Sequence, residues 1–311
     1  MRRSAPVADV AIAIVSWNLR DRLAACLESL RADHDAGRAE VWVVDNGSSD
    51  GSPQLVREYH PWARLIACEH NLGYGPAVNL VAARTTTAWI APANADLRLE
   101  AGALAELLAA GTGDPRAGAL APRLVLPDGR TQHSVHPFPS VPVAAAVNLG
   151  LAGRVPRLGE RLCLEAHWDP QRSRSVPWAH GALLVVRRSA WEAAGGFDDA
   201  MWFYAEDLDL CWRLHRAGFT VRYVPSARVH HEHSAAATAA WGDDRHVRSQ
   251  AAAYAWLRRR RGRPRAAAVA ALNTGLPALG AATALAAGRR ARLRHWARLH
   301  AMAWSRARRG L

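Results

Sequence analysis

Short uninterrupted apolar runs alternate along the first third of the chain with segments whose apolar residues recur every three or four positions. Val10-Ala11-Ile12-Ala13-Ile14-Val15 is continuous and rich in β-branched residues, as expected of a central parallel strand buried on both faces. It ends in Ser16-Trp17-Asn18, and Leu23, Cys26, Leu27 and Leu30 then predict a helix. Val41-Trp42-Val43-Val44 repeats the pattern, ending in Asp45-Asn46-Gly47-Ser48-Ser49-Asp50-Gly51 before a helix with Leu55 and Val56. Leu65-Ile66-Ala67 leads through Asn71-Leu72-Gly73-Tyr74-Gly75 into an alanine-rich helix reaching Arg84. Trp89-Ile90-Ala91 is a fourth buried strand, stopped by Pro92 and followed by Asn94-Ala95-Asp96. This alternation predicts an α/β fold with a doubly wound, mostly parallel sheet.

Past Ala110 the alternation weakens. Proline and glycine are frequent from Pro115 to Pro142, Asp128-Gly129 predicts a tight hairpin turn, and residues 143–175 show no clear period. Order returns with a buried strand at Ala182–Val186, a helix around Ala190 and a turn at Gly195-Gly196. A helix is expected to start at Glu206-Asp207, with Leu208, Cys211, Trp212 and Leu214 on its apolar side, followed by a strand from Thr220 to Val224.

In such a sheet the loops after successive strands converge on one crevice, which here gathers Ser16 to Asn18, Asp45 to Asp50, Gly73 to Gly75 and Asn94 to Asp96. Nucleotide binding is the natural reading. Asp45 can accept a hydrogen bond from a base N–H or a ribose hydroxyl, and Gly73 and Gly75 permit close backbone approach. Asp96 has two readings: a ligand for a hard divalent cation against nucleotide phosphates, or a cap for the helix starting near Glu100. Glu206 and Asp207 could sit in a first helical turn for the sake of the dipole, or supply a general base. In His230-His231-Glu232-His233 one histidine at a strand exit could complete a metal shell, though histidines in a row often sit exposed and idle. A dinucleotide oxidoreductase should carry G-x-G-x-x-G after the first strand, and Ser16-Trp17-Asn18-Leu19-Arg20 contains no glycine.

Charge changes the picture only once it is located. The net charge is +13 over 311 residues, yet from Trp241 onward 16 arginines face two aspartates, which leaves residues 1–240 at −1. A near-neutral body with a basic tail fits docking on an anionic surface better than general nucleic-acid binding. Cys26, Cys68, Cys163 and Cys211 show no C-x-x-C spacing, which argues against a structural zinc or a disulfide framework and fits a reducing cytosol. The apolar run behind Met1-Arg2-Arg3 is short, is preceded by Asp9 and lacks a small-residue cleavage site, so a strand is expected there rather than a signal peptide.

Taken together, six of these segments resemble the family 2 inverting glycosyltransferases of GT-A fold, and within them the bacterial rhamnosyltransferase branch. They are Ile14–Asn18, Val43–Gly51, Asn71–Gly75, Asn94–Asp96, Gly195–Asp198 and Tyr204–Cys211, in the family's order over roughly three quarters of the chain. The resemblance implies that Ser16, Trp17, Asn18, Asp45, Asn46, Gly73, Tyr74 and Asn94 bind a dTDP- or UDP-sugar. It implies that Asp96 and His231 hold Mg²⁺ or Mn²⁺, and that Asp207 is the catalytic base with Glu206 beside it. Asn94 stands where many GT-A enzymes begin a D-x-D motif with aspartate, which lowers the negative charge offered to a cation. The implied reaction is inverting transfer, with L-rhamnose from dTDP-L-rhamnose the first donor expected and UDP-sugars such as UDP-galactofuranose the alternative. The implied acceptor is a polyprenyl-diphosphate-linked sugar or a glycan in cell-envelope synthesis.

The expected organisation is a glycosyltransferase domain over residues 1–240 and a basic helical extension over 241–311. In the extension, Arg258–Arg265 is a dense basic run, Ala266–Gly288 carries no charge, and Leu293, Trp296, His300 and Trp304 fall near one helical face. Alanine, Asn273, Pro277 and three glycines make a spanning helix the minor reading. A helical hairpin on an anionic membrane surface, at the inner face of the cell membrane, is the expectation. The alternatives are a solvated extension packed on the body, a protein that binds nucleic acid through the tail, and a silent scaffold.

Overall fold

The structure, a computed structural model, describes residues 8–232, 238, 240–284 and 286–309. The chain forms two compact units, residues 1–135 with 170–236, and residues 136–169 with 237–311. The first unit begins β1 (Val10–Ser16), α1 (Arg20–Asp35), β2 (Ala39–Asp45), α2 (Ser52–Tyr59), β3 (Arg64–Ala67), α3 (Tyr74–Ala82), β4 (Trp89–Asn94). It continues with β5 (Leu97–Leu99), α4 (Ala103–Thr112), β6 (Ala117–Val125) and β7 (Val135–His136), which runs into the second unit. After α5 (Val141–Asn148), α6 (Leu151–Arg154) and α7 (Pro156–Arg161) come β8 (Arg174–Val176), β9 (Trp178–Ala179), β10 (Val185–Arg187), α8 (Arg188–Ala194), α9 (Glu206–Arg216) and β11 (Thr220–His231).

The main sheet has the order β3-β2-β1-β4-β10-β6-β11-β5, with β8 on β11. Strands β3, β2, β1 and β4 are parallel, as are β6 and β11, while β10 runs antiparallel between β4 and β6. The mostly parallel α/β sheet expected from the alternation is therefore present. The apolar runs form it for a simple reason: Val10, Ile12, Ile14, Val43 and Ile90 are fully or almost fully buried, and α1 turns Leu23, Cys26, Leu27 and Leu30 onto the sheet. Register sets the position of the crevice, since Ser16 lies opposite Asp45 and Val15 opposite Asn94, so these strands end level with one another.

Three strands differ from their expected extents. Pro92 does not stop β4, which passes through it to Asn94 in continuous register with β1. The buried run Ala182–Val186 gives only the three-residue β10, because its first part pairs as an isolated bridge between Leu183 and Ala93. By contrast β11 runs to His231, well past Val224, because its ladder with β6 slips between Val224 and Arg228 and then resumes.

The second unit is helical. Residues 143–175 read poorly because α5, α6 and α7 are only four to eight residues long, too short to display a period. The C-terminal part forms three long helices, Asp244–Arg261, Arg263–Thr283 and Ala287–Arg309, the first two separated at Gly262 with φ +92°. A buried polar chain ties them together. Asn148 Nδ2 donates to Asn273 Oδ1 at 2.8 Å, Asn273 Nδ2 to Tyr254 Oη at 3.1 Å, and Tyr254 Oη lies 2.8 Å from His300 Nδ1. Burial pushes His300 down to about 4 and Tyr254 up to about 12, so the chain is neutral. Among the described residues one helix, Arg263–Thr283, is long and apolar enough to cross a membrane.

Candidate active site

At the ends of β1 and β2 the side chains hold one another in place and leave some buried atoms unpaired. Asp45 is 1% exposed; its Oδ1 accepts the Ser48 N–H at 2.8 Å, while Oδ2 is buried and has no hydrogen-bond partner. Ser16 Oγ and Asn46 Oδ1 are likewise buried without partners. Burying such groups unmet is costly, so three in one place mark a surface built to take a polar ligand. Asn18, in the left-handed region with φ 53°, accepts the Ser49 N–H at 2.8 Å and donates its own N–H to Ser48 Oγ at 2.9 Å. Trp17 is half-buried beside it.

The loop before α3 folds onto the protein itself. Asn46 Nδ2 donates to the Gly73 carbonyl at 3.1 Å, and the Tyr74 N–H donates to the Trp202 carbonyl at 3.0 Å. A Cβ on Gly73 would come within 2.3 Å of that Trp202 oxygen, and one on Gly75 within 3.0 Å of Phe197 Cβ. The close approach anticipated at these glycines is thus made by the 197–202 loop. Tyr74 is buried and donates its hydroxyl to the Gly181 carbonyl at 2.7 Å.

The acidic groups meet around that phenol. Burial, then the charges of Glu206, Asp207 and Asp96, push the Tyr74 hydroxyl well above its ordinary value, so all three carboxyls share its neighbourhood. Glu206 and Asp207 open α9, directly after Tyr204 and Ala205, which both lie in the left-handed region with φ 66° and 65°. Non-glycine residues are rarely held there, and this backbone aims the first turn. Asp207 Oδ2 accepts the Gly181 N–H at 2.8 Å and Oδ1 the Leu208 N–H at 2.7 Å. Burial raises the Asp207 carboxyl, and these N–H groups oppose the rise. Glu206 Oε2 is buried and unpartnered, and burial together with the neighbouring Asp207 raises its carboxyl to about 8. Asp209 instead faces Arg213 at 2.7 Å inside the fold.

Asp96 lies between β4 and β5 and does not cap a helix, since α4 begins only at Ala103. β5 pairs antiparallel with β11, placing Leu97 opposite His231, and this brings His231 Nε2 to 3.4 Å from Asp96 Oδ1. Both side chains are about 5% exposed. His230 is on the other face of the strand, 2.9 Å from Glu100, and His233 lies outside the described residues. The strand's two-residue alternation, hidden from the sequence by its unexpected length, selects between the histidines. Asn94 Nδ2 stands 3.4 Å from His231 Nε2.

Two family models match the chain, "Glycosyl transferase family 2" over residues 11–152 and "Glycosyl transferase family group 2" over residues 163–304. It is 37% identical over 209 residues to the N-acetylglucosaminyl-diphospho-decaprenol L-rhamnosyltransferase of Mycobacterium tuberculosis, spanning 64% of this chain and 67% of the relative. The chain belongs to glycosyltransferase family 2. Its fold is that of solved GT-A glycosyltransferases. The mannosyltransferase PcManGT from Pyrobaculum calidifontis, in complex with GDP-Man and Mn²⁺, superimposes with a TM-score of 0.59 at 19% identity, over 97% of this chain and 88% of the other. GalNAc-T7 with UDP, GalNAc and Mn²⁺ gives 0.54 at 14% identity over 73% and 44%.

For this glycosyltransferase the donor set at Asp96 can be tested against a divalent cation. Among the described residues no group of three or more His, Cys, Asp or Glu side chains is arranged to hold a metal. Two donors are nevertheless aligned. Gln132 Oε1 lies 2.7 Å from His231 Nδ1, and the other ring nitrogen, Nε2, faces the Asp96 oxygen. Two electron-rich atoms facing each other in a buried place fit a cation that draws its other ligands from a bound diphosphate. Gln132 carries no signal in the sequence, since it stands alone after the Asp128-Gly129 turn.

Proposed function

We propose that this glycosyltransferase moves L-rhamnose from dTDP-L-rhamnose, with inversion, onto a hydroxyl of a polyprenyl-diphosphate-linked sugar at an anionic membrane surface. The observation that carries the reading is that Tyr74 and Asp207 meet on Gly181, with Glu206 beside Asp207 at the start of α9, in a chain 37% identical to a rhamnosyltransferase whose name specifies a diphospho-decaprenol acceptor. The unpaired Asp45 Oδ2 supports a pyrimidine donor, because thymine and uracil each present one ring N–H for it to accept. Ser16, Trp17, Asn18, Asn46, Gly73 and Asn94 line the same donor crevice in this reading.

The chemistry follows from charge. Asp207 takes the proton of the acceptor hydroxyl as its oxygen bonds to the anomeric carbon, and the bond to the diphosphate oxygen breaks with its electron pair leaving on phosphate. Gly181 and Leu208 N–H groups hold the carboxylate in place, and Glu206, protonated over most of the neutral range, can donate to the acceptor without adding a second charge. Asp96 and His231 would hold Mg²⁺ or Mn²⁺, which supplies Lewis-acid stabilisation to the departing diphosphate. One displacement with one base inverts the centre.

The membrane partner rests on the helical unit. Of the nine large apolar side chains standing exposed among the described residues, only Tyr59 and Trp202 belong to the sheet unit. The others include Leu149, Val155, Leu279, Trp296 and Met302, alongside the arginine-rich helices. A cavity of about 120 Å³ in this unit is lined by apolar Val141, Leu257 and Val269 with Arg261 and Arg265 at its edge, which suits a phosphate carrying an acyl or isoprenoid chain. The test is turnover of dTDP-L-rhamnose against UDP-galactofuranose on a polyprenyl-diphosphate-linked N-acetylglucosamine, with the product's anomeric configuration read by NMR. Rhamnosyl transfer with inversion is expected, and transfer from the UDP-sugar alone would overturn the donor assignment.

A further inference from the structure

The aligned pair Asp96 and His231 depends on which ring nitrogen of His231 carries the proton. A neutral imidazole offers a lone pair on one nitrogen only. If the proton sat on Nε2, it would point at Asp96 Oδ1, attracted by the carboxylate, and the ring could not bind a cation there. Two distances decide against that. Nε2 lies 3.4 Å from Asp96 Oδ1, beyond ordinary N–H···O length, whereas Nδ1 lies 2.7 Å from Gln132 Oε1. The Asn94 amide nitrogen, a donor, also lies 3.4 Å from Nε2.

Gln132 is built to act in this way. It is 5% exposed, and its N–H is pinned to the Leu124 carbonyl at 2.8 Å where the 126–130 turn brings the chain back along β6. Its amide nitrogen lies 3.5 Å from His180 Nδ1 and its carbonyl oxygen 2.7 Å from His231 Nδ1, so the amide spans the two rings with its oxygen on the His231 side. His180 directly precedes Gly181, whose N–H holds Asp207. One buried amide therefore stands between the strand bearing the candidate cation ligand and the segment whose Gly181 N–H holds the candidate base.

We propose that Gln132 is a positioning residue for the cation pocket: its carbonyl oxygen accepts the Nδ1 proton of His231 and so holds the Nε2 lone pair toward Asp96. The proposal rests on the reading of Asp96 and His231 as cation ligands, and goes beyond it by assigning the residue that makes His231 competent. Orienting partners of this kind typically change metal affinity by about 10–100-fold.

The tautomer is measurable without any metal or variant of Gln132. In metal-free protein labelled with ¹⁵N-histidine, with His231 assigned by its loss in His231→Gln, long-range ¹H–¹⁵N correlation should show Nδ1 protonated and Nε2 bearing the lone pair. A proton on Nε2 in the wild type overturns the proposal. Gln132→Leu keeps the bulk and removes the acceptor, so the proton should shift to Nε2. Mn²⁺ affinity, read by electron paramagnetic resonance of free Mn²⁺ in the presence of dTDP, should fall by about 10–100-fold. Gln132→Glu restores an acceptor and should recover both readouts. An unchanged tautomer and unchanged Mn²⁺ affinity in Gln132→Leu would also overturn the proposal. Asp96→Ala separates the two levels: if it leaves Mn²⁺ affinity intact, the cation reading fails, whereas the tautomer in metal-free protein still reports on Gln132.

Discussion

At the residue scale the site is defined by what its neighbours leave undone. Asp45 spends one oxygen on its own loop and keeps the other buried and unpaired, so Asp45→Ala should weaken dTDP binding by about 10–100-fold in calorimetry, the cost of one charge-assisted hydrogen bond. Asp207 has the opposite character, its carboxylate held by two backbone N–H groups and facing the acceptor side in the proposed reaction. Asp207→Asn keeps the shape and removes the base; the turnover rate should drop roughly 10²–10⁴-fold with donor affinity unchanged. Glu206 provides a pH signature. Its carboxyl is raised from 4.5 to about 8, so between these values the folded state binds more protons than the unfolded state, and stability falls as pH rises through that window. Melting temperatures of wild type and Glu206→Gln should converge below about pH 4.5, with the wild type losing ground toward pH 8.

At the element scale the parallel strands β1 to β4 set the crevice, and turns and pairings fill it. Gly73 has φ +90°, and any side chain there would strike the Trp202 carbonyl, so Gly73→Ala should cost about 2 kcal/mol or more and displace the loop before α9, a drop visible in thermal melting. These elements also show how far the sequence could be read. Strands β1 to β4 were legible because each carries an apolar run closed by a polar loop, and parallel register then brings Ser16, Asp45 and Asn94 level without further information, whereas the short β5, with Arg98 at its centre, shows no such run. What was not legible depends on non-local pairing. The length of β11, which sets His231 against Asp96, comes from a ladder that resumes after a slip, so that His231 was named by the family resemblance alone, and the place of Gln132 beside it comes from a turn that returns one amide to a strand far along the chain. Neither leaves a period or a spacing in the local sequence.

At the scale of the whole molecule the charge is unevenly divided: the sheet unit is near neutral and holds the candidate site, whereas the helical unit is rich in arginine and carries most of the exposed apolar side chains, which is what the proposed docking role requires. Each arginine near an anionic surface contributes about 1 kcal/mol, so Arg261→Ala with Arg265→Ala should weaken binding to phosphatidylglycerol vesicles by about 30-fold at low salt. Binding to neutral vesicles should be slight in both proteins, and salt should erase much of the difference. Equal binding of wild type and variant to anionic vesicles would remove these arginines from the docking face.

The most direct test of the central claim, that the strand-end crevice binds a nucleotide sugar through a cation held at Asp96, is a calorimetric donor panel. dTDP-L-rhamnose, UDP-sugars and GDP-mannose would be titrated with and without Mn²⁺ into wild type and Asp96→Ala. The prediction is Mn²⁺-dependent binding of dTDP-L-rhamnose that disappears in the variant. Binding that is indifferent to both Mn²⁺ and Asp96, or no binding of any donor, would contradict it.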